Sequence, residues 1–162
     1  MEKLLKRCDK VAFYGIKASQ GNTLTFKRMT GFTEMNTSKN PTEYSRKYVD
    51  EEFEQSDVVG YSPSISFSFD RYSDSDVHTD IAKIFDEELT GADAIRTIIV
   101  ADVTTGTAIK RDFAVIPDSE GDSEDAYTLS GNFKVKSGKI KGTATSEDGW
   151  QTITFAEETS QG

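Results

Sequence analysis

NTSKNPTEYSRKYVDEEFEQSDVVGYSPSISFSFDRY, residues 36–72, is the stretch around which the chain is organised. At its C-terminal end, Ile65-Ser66-Phe67-Ser68-Phe69 alternates large apolar side chains with serines. A strand sends alternate side chains to opposite faces, so this segment has one apolar face and one neutral, wet face. Earlier in the stretch, Thr42 to Asp50 also reads as extended, with Tyr44, Arg46 and Tyr48 on one side and Glu43, Ser45, Lys47 and Val49 on the other. Neither side of that run suits the core of a monomer. Tyr and Arg are enriched where protein surfaces meet, and 36–72 therefore reads as an assembly arm.

A length of 162 residues fits one domain and suffices for a core. The apolar share, 35%, is low enough to indicate a lean core or one completed by neighbours. The formal charge of −9 argues against ordinary nucleic-acid binding, which needs Lys and Arg against phosphate. Cys8 is the only cysteine, so no intrachain disulfide forms and a reducing compartment is the easier fit. Met1 to Arg7 is basic but no apolar segment of signal-peptide type follows, and the run Ile98 to Ala101 is far too short to cross a bilayer.

Outside the arm the pattern is mostly extended. Lys10 to Lys17 and Leu24 to Met29 read as a hairpin turned at Ser19-Gln20-Gly21-Asn22, and Gly31 and Asn40-Pro41 punctuate the way into the arm. One helix stands out: Val77, Ile81, Ile84, Phe85 and Leu89 recur at helical spacing, with Asp74, Ser75 or Asp76 to cap it and Gly91 to stop it. Thr97 to Val103 is dominated by β-branched residues and reads as a strand buried on both faces or an inner strand. Ile109 to Ile116 follows, with Arg111, Phe113 and Val115 on one side, and Pro117 to Asp125 ends it as an acidic loop. Tyr127, Leu129, Phe133 and Val135 alternate with Thr128, Ser130, Asn132 and Lys134, repeating the chemistry of 65–69. Lys139 to Thr145 and Trp150 to Phe155 close the chain around Asp148-Gly149. About eight strands and one helix give a mainly β (α+β) fold, a β-sandwich or split barrel with one flanking α-helix and a long hairpin arm. It reads as a single domain, 1–162, with arm 36–72 and flexible ends at 1–9 and 157–162.

Catalytic chemistry finds little support. His78 is the only histidine and reads as structural; with Cys8 far away in sequence, neither a zinc site nor a Cys-His pair is indicated. No phosphate-binding glycine loop is present. The acidic clusters, Glu51 to Asp57 and Asp118 to Asp125, do not follow the EF-hand order and read as solvated loops. No catalytic, cofactor-binding or metal-binding residue is assigned. Lys134, Lys136, Lys139 and Lys141, and Lys110-Arg111, read as a solvated face or as partners for carboxylates of a neighbouring copy.

Taken together, KNPTEYSRKYVDEEFEQSDVVGYSPSISFSFD (39–70), VHTDIAKIFDEEL (77–89), IKRDFAVIPDSEGDSEDAYTLSGNF (109–133) and TSEDGWQTITF (145–155) resemble the major tail proteins, or tail tube proteins, of long-tailed bacteriophages. The resemblance implies a structural virion protein, not an enzyme and without cofactor, made in the host cytoplasm. Such proteins polymerise as stacked hexameric rings, and DNA passes through the lumen as non-specific cargo. The implied partners are further copies of the chain and other tail proteins, with no membrane. On that view the lumen face comprises Ser64, Ser66, Ser68 and Asp70 with Thr128, Ser130 and Asn132. Subunit contacts would come from Tyr44, Arg46, Tyr48, Glu51, Glu52, Phe53 and Asp57. Arg111 and Lys134 sit awkwardly there, because a positive ring would hold phosphate. A tail terminator or capsid decoration protein is the alternative of the same kind; a calcium-dependent carbohydrate-binding module or small hydrolase is that of another kind.

Overall fold

The computed structural model describes residues 4–17, 23–121 and 124–158. The turn expected at 19–22 therefore falls outside the described residues, apart from its flanking strands. Eleven strands are present among those described: β1 (Lys10–Lys17), β2 (Leu24–Arg28), β3 (Phe32–Ser38), β4 (Pro41–Arg46), β5 (Gln55–Tyr61), β6 (Ser64–Asp70), β7 (Ile95–Asp102), β8 (Thr107–Glu120), β9 (Thr128–Val135), β10 (Ile140–Thr145) and β11 (Thr152–Glu157). One α-helix, α1 (Asp76–Glu87), separates β6 from β7. The architecture is mainly β with a single flanking helix, as the alternation of apolar and polar residues predicts. The sequence reading undercounts the strands because β3, with only Phe32 and Met35 large and no side chain buried, and β5, exposed almost throughout, carry almost no periodic signal.

Nine strands form one antiparallel sheet in the order β10-β11-β2-β1-β7-β8-β9-β6-β3, and β10 also pairs with β8. That second pairing closes β8, β10, β11, β2, β1 and β7 into a barrel and leaves β9, β6 and β3 as an open extension. Strand β8 makes both possible. Its first residues, Thr107 to Lys110, pair with β10, and from Phe113 onward the same edge pairs with β9. Barrel and open sheet thus share one strand.

The two faces of β1 and β7 go into two different cores. Val11, Phe13, Ile99 and Ala101 point into the barrel with Phe26, Ala108, Ala144 and Ile153. Ala12, Tyr14 and Ile98 point the other way, where α1 lies across the sheet with Val77, Ile81, Ala82, Ile84 and Phe85. The double burial of 97–103 expected from its β-branched run is observed. Open-sheet residues Ile65, Phe67, Phe69, Leu129 and Phe133 extend the helix-side core, with Phe67 stacked on Phe133 at 4.2 Å. Close packing there needs Gly131, since a Cβ at that position would lie 2.4 Å from the Ile116 carbonyl oxygen.

Helix α1 begins where the Ser75 hydroxyl accepts the His78 amide proton at 3.3 Å, the cap that the sequence offers. It ends at Glu88 in the left-handed region, φ 50°, ahead of Gly91. Pro117 does not stop β8, which runs on to Glu120. Strand β7 ends opposite Ala114, so past that point β8 has a neighbour only on the β9 side and a missing amide proton is tolerated. Of the acidic loop expected after Pro117, Asp122 and Ser123 lie outside the described residues.

Two polar clusters fasten the helix. Asp80 accepts from the Tyr14 hydroxyl at 2.5 Å and from Arg96 Nε at 2.8 Å, tying α1 to β1 and β7. Burial, and then the adjacent Asp80 carboxylate, push the Tyr14 phenol well above its ordinary range, so it stays a donor. His78 is fully buried, stacked on Phe69 at 4.5 Å. Its Nε2–H donates to the Thr30 carbonyl at 2.6 Å and its Nδ1 accepts from the Tyr72 amide at 3.0 Å, which fixes one neutral tautomer. The lone histidine is structural, as its position predicts.

Replacing Asp80 with alanine leaves Tyr14 and Arg96 without their acceptor and should lower stability by about 1–3 kcal/mol in urea unfolding. Burial holds the His78 pKa below its ordinary value; the Thr30 carbonyl, Asp70 and Asp74 oppose that shift and Arg71 adds to it. The unfolded chain then takes up a proton near pH 6.5 that the folded chain refuses, so stability is full above that pH and falls as pH drops below it, by at most about 1.4 kcal/mol per pH unit. Urea midpoints between pH 7 and 5 should show this slope, and His78→Gln should flatten it.

Candidate functional site

Beyond the barrel, the sheet face turned away from α1 is polar and uncovered. The register of β6 and β9 pairs Ser64 with Lys134, Ser66 with Asn132, Ser68 with Ser130 and Asp70 with Thr128. All seven residues assigned from sequence to a wet face, Ser64, Ser66, Ser68, Asp70, Thr128, Ser130 and Asn132, thus lie side by side on it, each half-buried. They bond to one another and to β8: Ser66 Oγ donates to Asn132 Oδ1 at 3.2 Å, and the Ser119 and Ser130 hydroxyls meet at 2.8 Å. Strand β3 adds Asn36 opposite Ser66, Ser38 opposite Ser64 and Glu34 opposite Ser68. Sequence reading missed these, since only the pairing of β3 with β6 brings them there.

The two awkward cations separate. Arg111 pairs opposite Ile98 and so lies on the helix-side face, away from the polar one. Lys110, on the opposite side of the strand, places its ammonium near 5.8 Å from the Phe26 ring and 5.7 Å from that of Phe155, at the barrel. Lys134 does stand on the polar face. The charges on the paired positions of that face are Glu34, Asp70 and Asp112 against Lys134 and, at the barrel, Lys110. Acidic groups outnumber basic ones, so the face offers little attraction to an anion.

The open sheet has two unpaired edges among the described residues. Strand β3 is bonded only to β6, and the end of β8 past Ala114 only to β9. Four strands, β8, β9, β6 and β3, therefore form a segment that can accept a strand on either side.

The arm is a hairpin of its own. Strands β4 and β5 form a separate two-stranded sheet, and the tip between them is residues 47–54. The structure draws the arm tighter than 36–72: residues 36–38 belong to β3 and 64–70 to β6, both in the large sheet. The first extended run stops at Arg46, so Tyr48 sits in the tip and not on a strand. Tyr44, Arg46 and Tyr48 nevertheless cluster. Arg46 donates to the Tyr48 hydroxyl at 2.7 Å, pairs with Asp57 at 2.6 Å and lies about 5 Å above both tyrosine rings. Its bonds to Asp57 first, and to Tyr48 next, raise the pKa of the guanidinium. Glu51 accepts from Gln55 at 2.5 Å, while Glu52 and Phe53 extend into solvent. Exposed apolar side chains concentrate here: Val49 is 107% exposed, Phe53 76%, Val59 64% and Tyr61 61%. No core of this chain receives them.

Among the described residues no cluster of three His, Cys, Asp or Glu side chains could hold a metal ion, and no helix is long and apolar enough to cross a membrane. Cys8 is exposed and free.

Comparison with solved structures finds a similar fold elsewhere. One match is a chain from the tail of an empty gene transfer agent particle with C6 symmetry, at TM-score 0.60 and 13% identity over 84% of this chain and 97% of that one. The fold is shared. A chain from the virion of a native gene transfer agent particle matches at TM-score 0.60, 12% identity and the same coverage. A chain of the six-fold symmetrised anti-feeding prophage baseplate matches at TM-score 0.54 and 8% identity, over 87% of this chain and 97% of that one. No protein-family model matches the sequence, and no curated protein sequence does. At such identities the likeness is one of fold.

Replacing Arg46 with alanine should speed amide exchange over 41–61 while leaving the melting temperature of the main sheet unchanged, because the arm is its own sheet.

Proposed function

We propose that this chain is a structural subunit of a phage-like tail, assembling into rings, hexameric by the symmetry of the matched particles, that stack into a tube for DNA. The observation that carries this reading is the open four-stranded segment, with two free edges, an apolar face under α1 and a polar, mildly acidic face. Joined edge to edge, such segments close into a wide barrel without exposed edges, since neighbouring strands in a ring satisfy one another's backbone groups. The polar face then lines the lumen, where serine, threonine and asparagine hydrate a passing phosphate backbone without binding it. In this arrangement the 41–61 hairpin is the contact between copies, and its exposed Tyr44, Tyr48, Phe53 and Val59 find cover there.

The likeness to a baseplate chain favours a second reading, a single ring at one end of a tail. Open-ended stacking separates the two. Concentrated protein viewed by negative-stain microscopy should show hollow filaments of variable length; discrete rings alone would favour the baseplate-like role, and monomers at all concentrations would sink both. Tyr44→Ala, Arg46→Ala and Tyr48→Ala combined should prevent filaments while the melting curve of the subunit persists.

A further inference from the structure

A groove of about 390 Å³ opens on the helix-side face of the sheet, between β3 and the strands β1, β7 and β8, at the root of the arm. Its floor is apolar, with Met35, Val100 and Phe113 among the lining residues. Its charged lining is of one sign: Arg7, Lys10, Lys39 and Arg111 contribute cations and no carboxylate lines it. Among the described residues none of the four has an acidic oxygen within 4 Å, although Lys10 stands opposite Asp102 across β1 and β7. Arg7 spends its guanidinium on the Lys10 and Met35 carbonyls at 2.6 and 3.2 Å. Arg111 goes further, for its Nε is buried and has no hydrogen-bond partner. A buried donor left unsatisfied costs stability that an incoming acceptor restores.

The arm tip has the complementary chemistry. KYVDEEFE, residues 47–54, carries Asp50, Glu51, Glu52 and Glu54 against the single Lys47, around the exposed rings and methyls of Phe53 and Val49. We infer that the groove is the receptor for the arm tip of a second copy of this chain, with Phe53 on the apolar floor and the tip carboxylates on Arg111 and the rim cations. This rests on the self-assembly reading and names its acceptor.

A copy does not fill its own groove. The arm leaves the sheet at Lys39 and Pro63, both of which line the groove, and a six-residue strand carries the tip on the order of 20 Å away. Tip and receptor are different surfaces of the same molecule, so the contact is head to tail. Repetition of such a contact in one direction generates an open stack or a ring. The high acidity of the arm also keeps tips from meeting one another, which leaves the basic groove as the complementary surface.

A charge swap tests the pairing. Arg7→Glu with Lys10→Glu and Lys39→Glu turns the net formal charge of the groove from +4 to −2; Glu51→Lys with Glu52→Lys turns that of the tip from −3 to +1. Each variant alone should keep its thermal melt and raise the concentration needed for assembly by about tenfold or more. A 1:1 mixture should recover assembly near the wild-type concentration, because each reversed groove then meets a reversed tip and each native groove a native tip. The groove assignment is overturned if the rim variant assembles as the wild type does, or if two folded variants fail to rescue each other. Wild-type protein that never assembles would instead overturn the self-assembly reading along with it.

Discussion

The structure depends on how one strand divides its edge. Strand β8 is 14 residues long, and along one side it hands its backbone bonds from β10 to β9. Before the handover the sheet curls back and closes; after it the sheet runs on open. Because side chains alternate strictly along a strand, the face that fills the barrel core at Ala108 is the same face that becomes the polar surface opposite Asn132. A single sheet face is thus buried by self-closure at one end and left wet at the other. The opposite face packs its apolar core under α1 and, toward the root of the arm, opens into the basic groove.

This division explains a lean composition. One helix covers the sheet, and the barrel needs only a small filling in which Ala101, Ala108 and Ala144 sit beside Phe13 and Ile99. Small residues are required where strands crowd: a Cβ at Gly142 would come within 2.2 Å of the Ala156 carbonyl oxygen. The serine-rich face needs no apolar partner at all. Its hydroxyls bond across strands, and the surface is kept near neutral with carboxylates slightly in excess, a chemistry suited to the proposed lumen.

The arm follows the opposite logic. Its backbone is satisfied by the β4–β5 ladder and its shape is stiffened by Arg46 between two tyrosines and Asp57, yet its apolar side chains remain in water. An element ordered in itself but not covered is poised for contact with another molecule, and the ordering entropy is already met before that contact forms. Sequence reading placed Tyr44, Arg46 and Tyr48 together as direct contact residues. The structure gives Arg46 an internal role as well, since its charge is already engaged by Asp57 and Tyr48.

The sequence by itself determined the alternation of 64–70 and 128–135, the capped amphipathic helix, the doubly buried strand near 97–103 and the structural histidine, because each is a local pattern of period or capping. It also put Ser64, Ser66, Ser68 and Asp70 on one side of their strand and Thr128, Ser130 and Asn132 on one side of theirs, since period two settles which side a residue takes once the apolar side is known. What only the tertiary structure decided is how strands meet: β3 against β6, β10 back onto β8, the arm cut down to 41–61, and the orphaned Arg111 facing a groove. Those pairings join residues far apart in the chain, and backbone hydrogen bonding, which carries no side-chain signature, selects them only when the two cores on either side of the sheet close together.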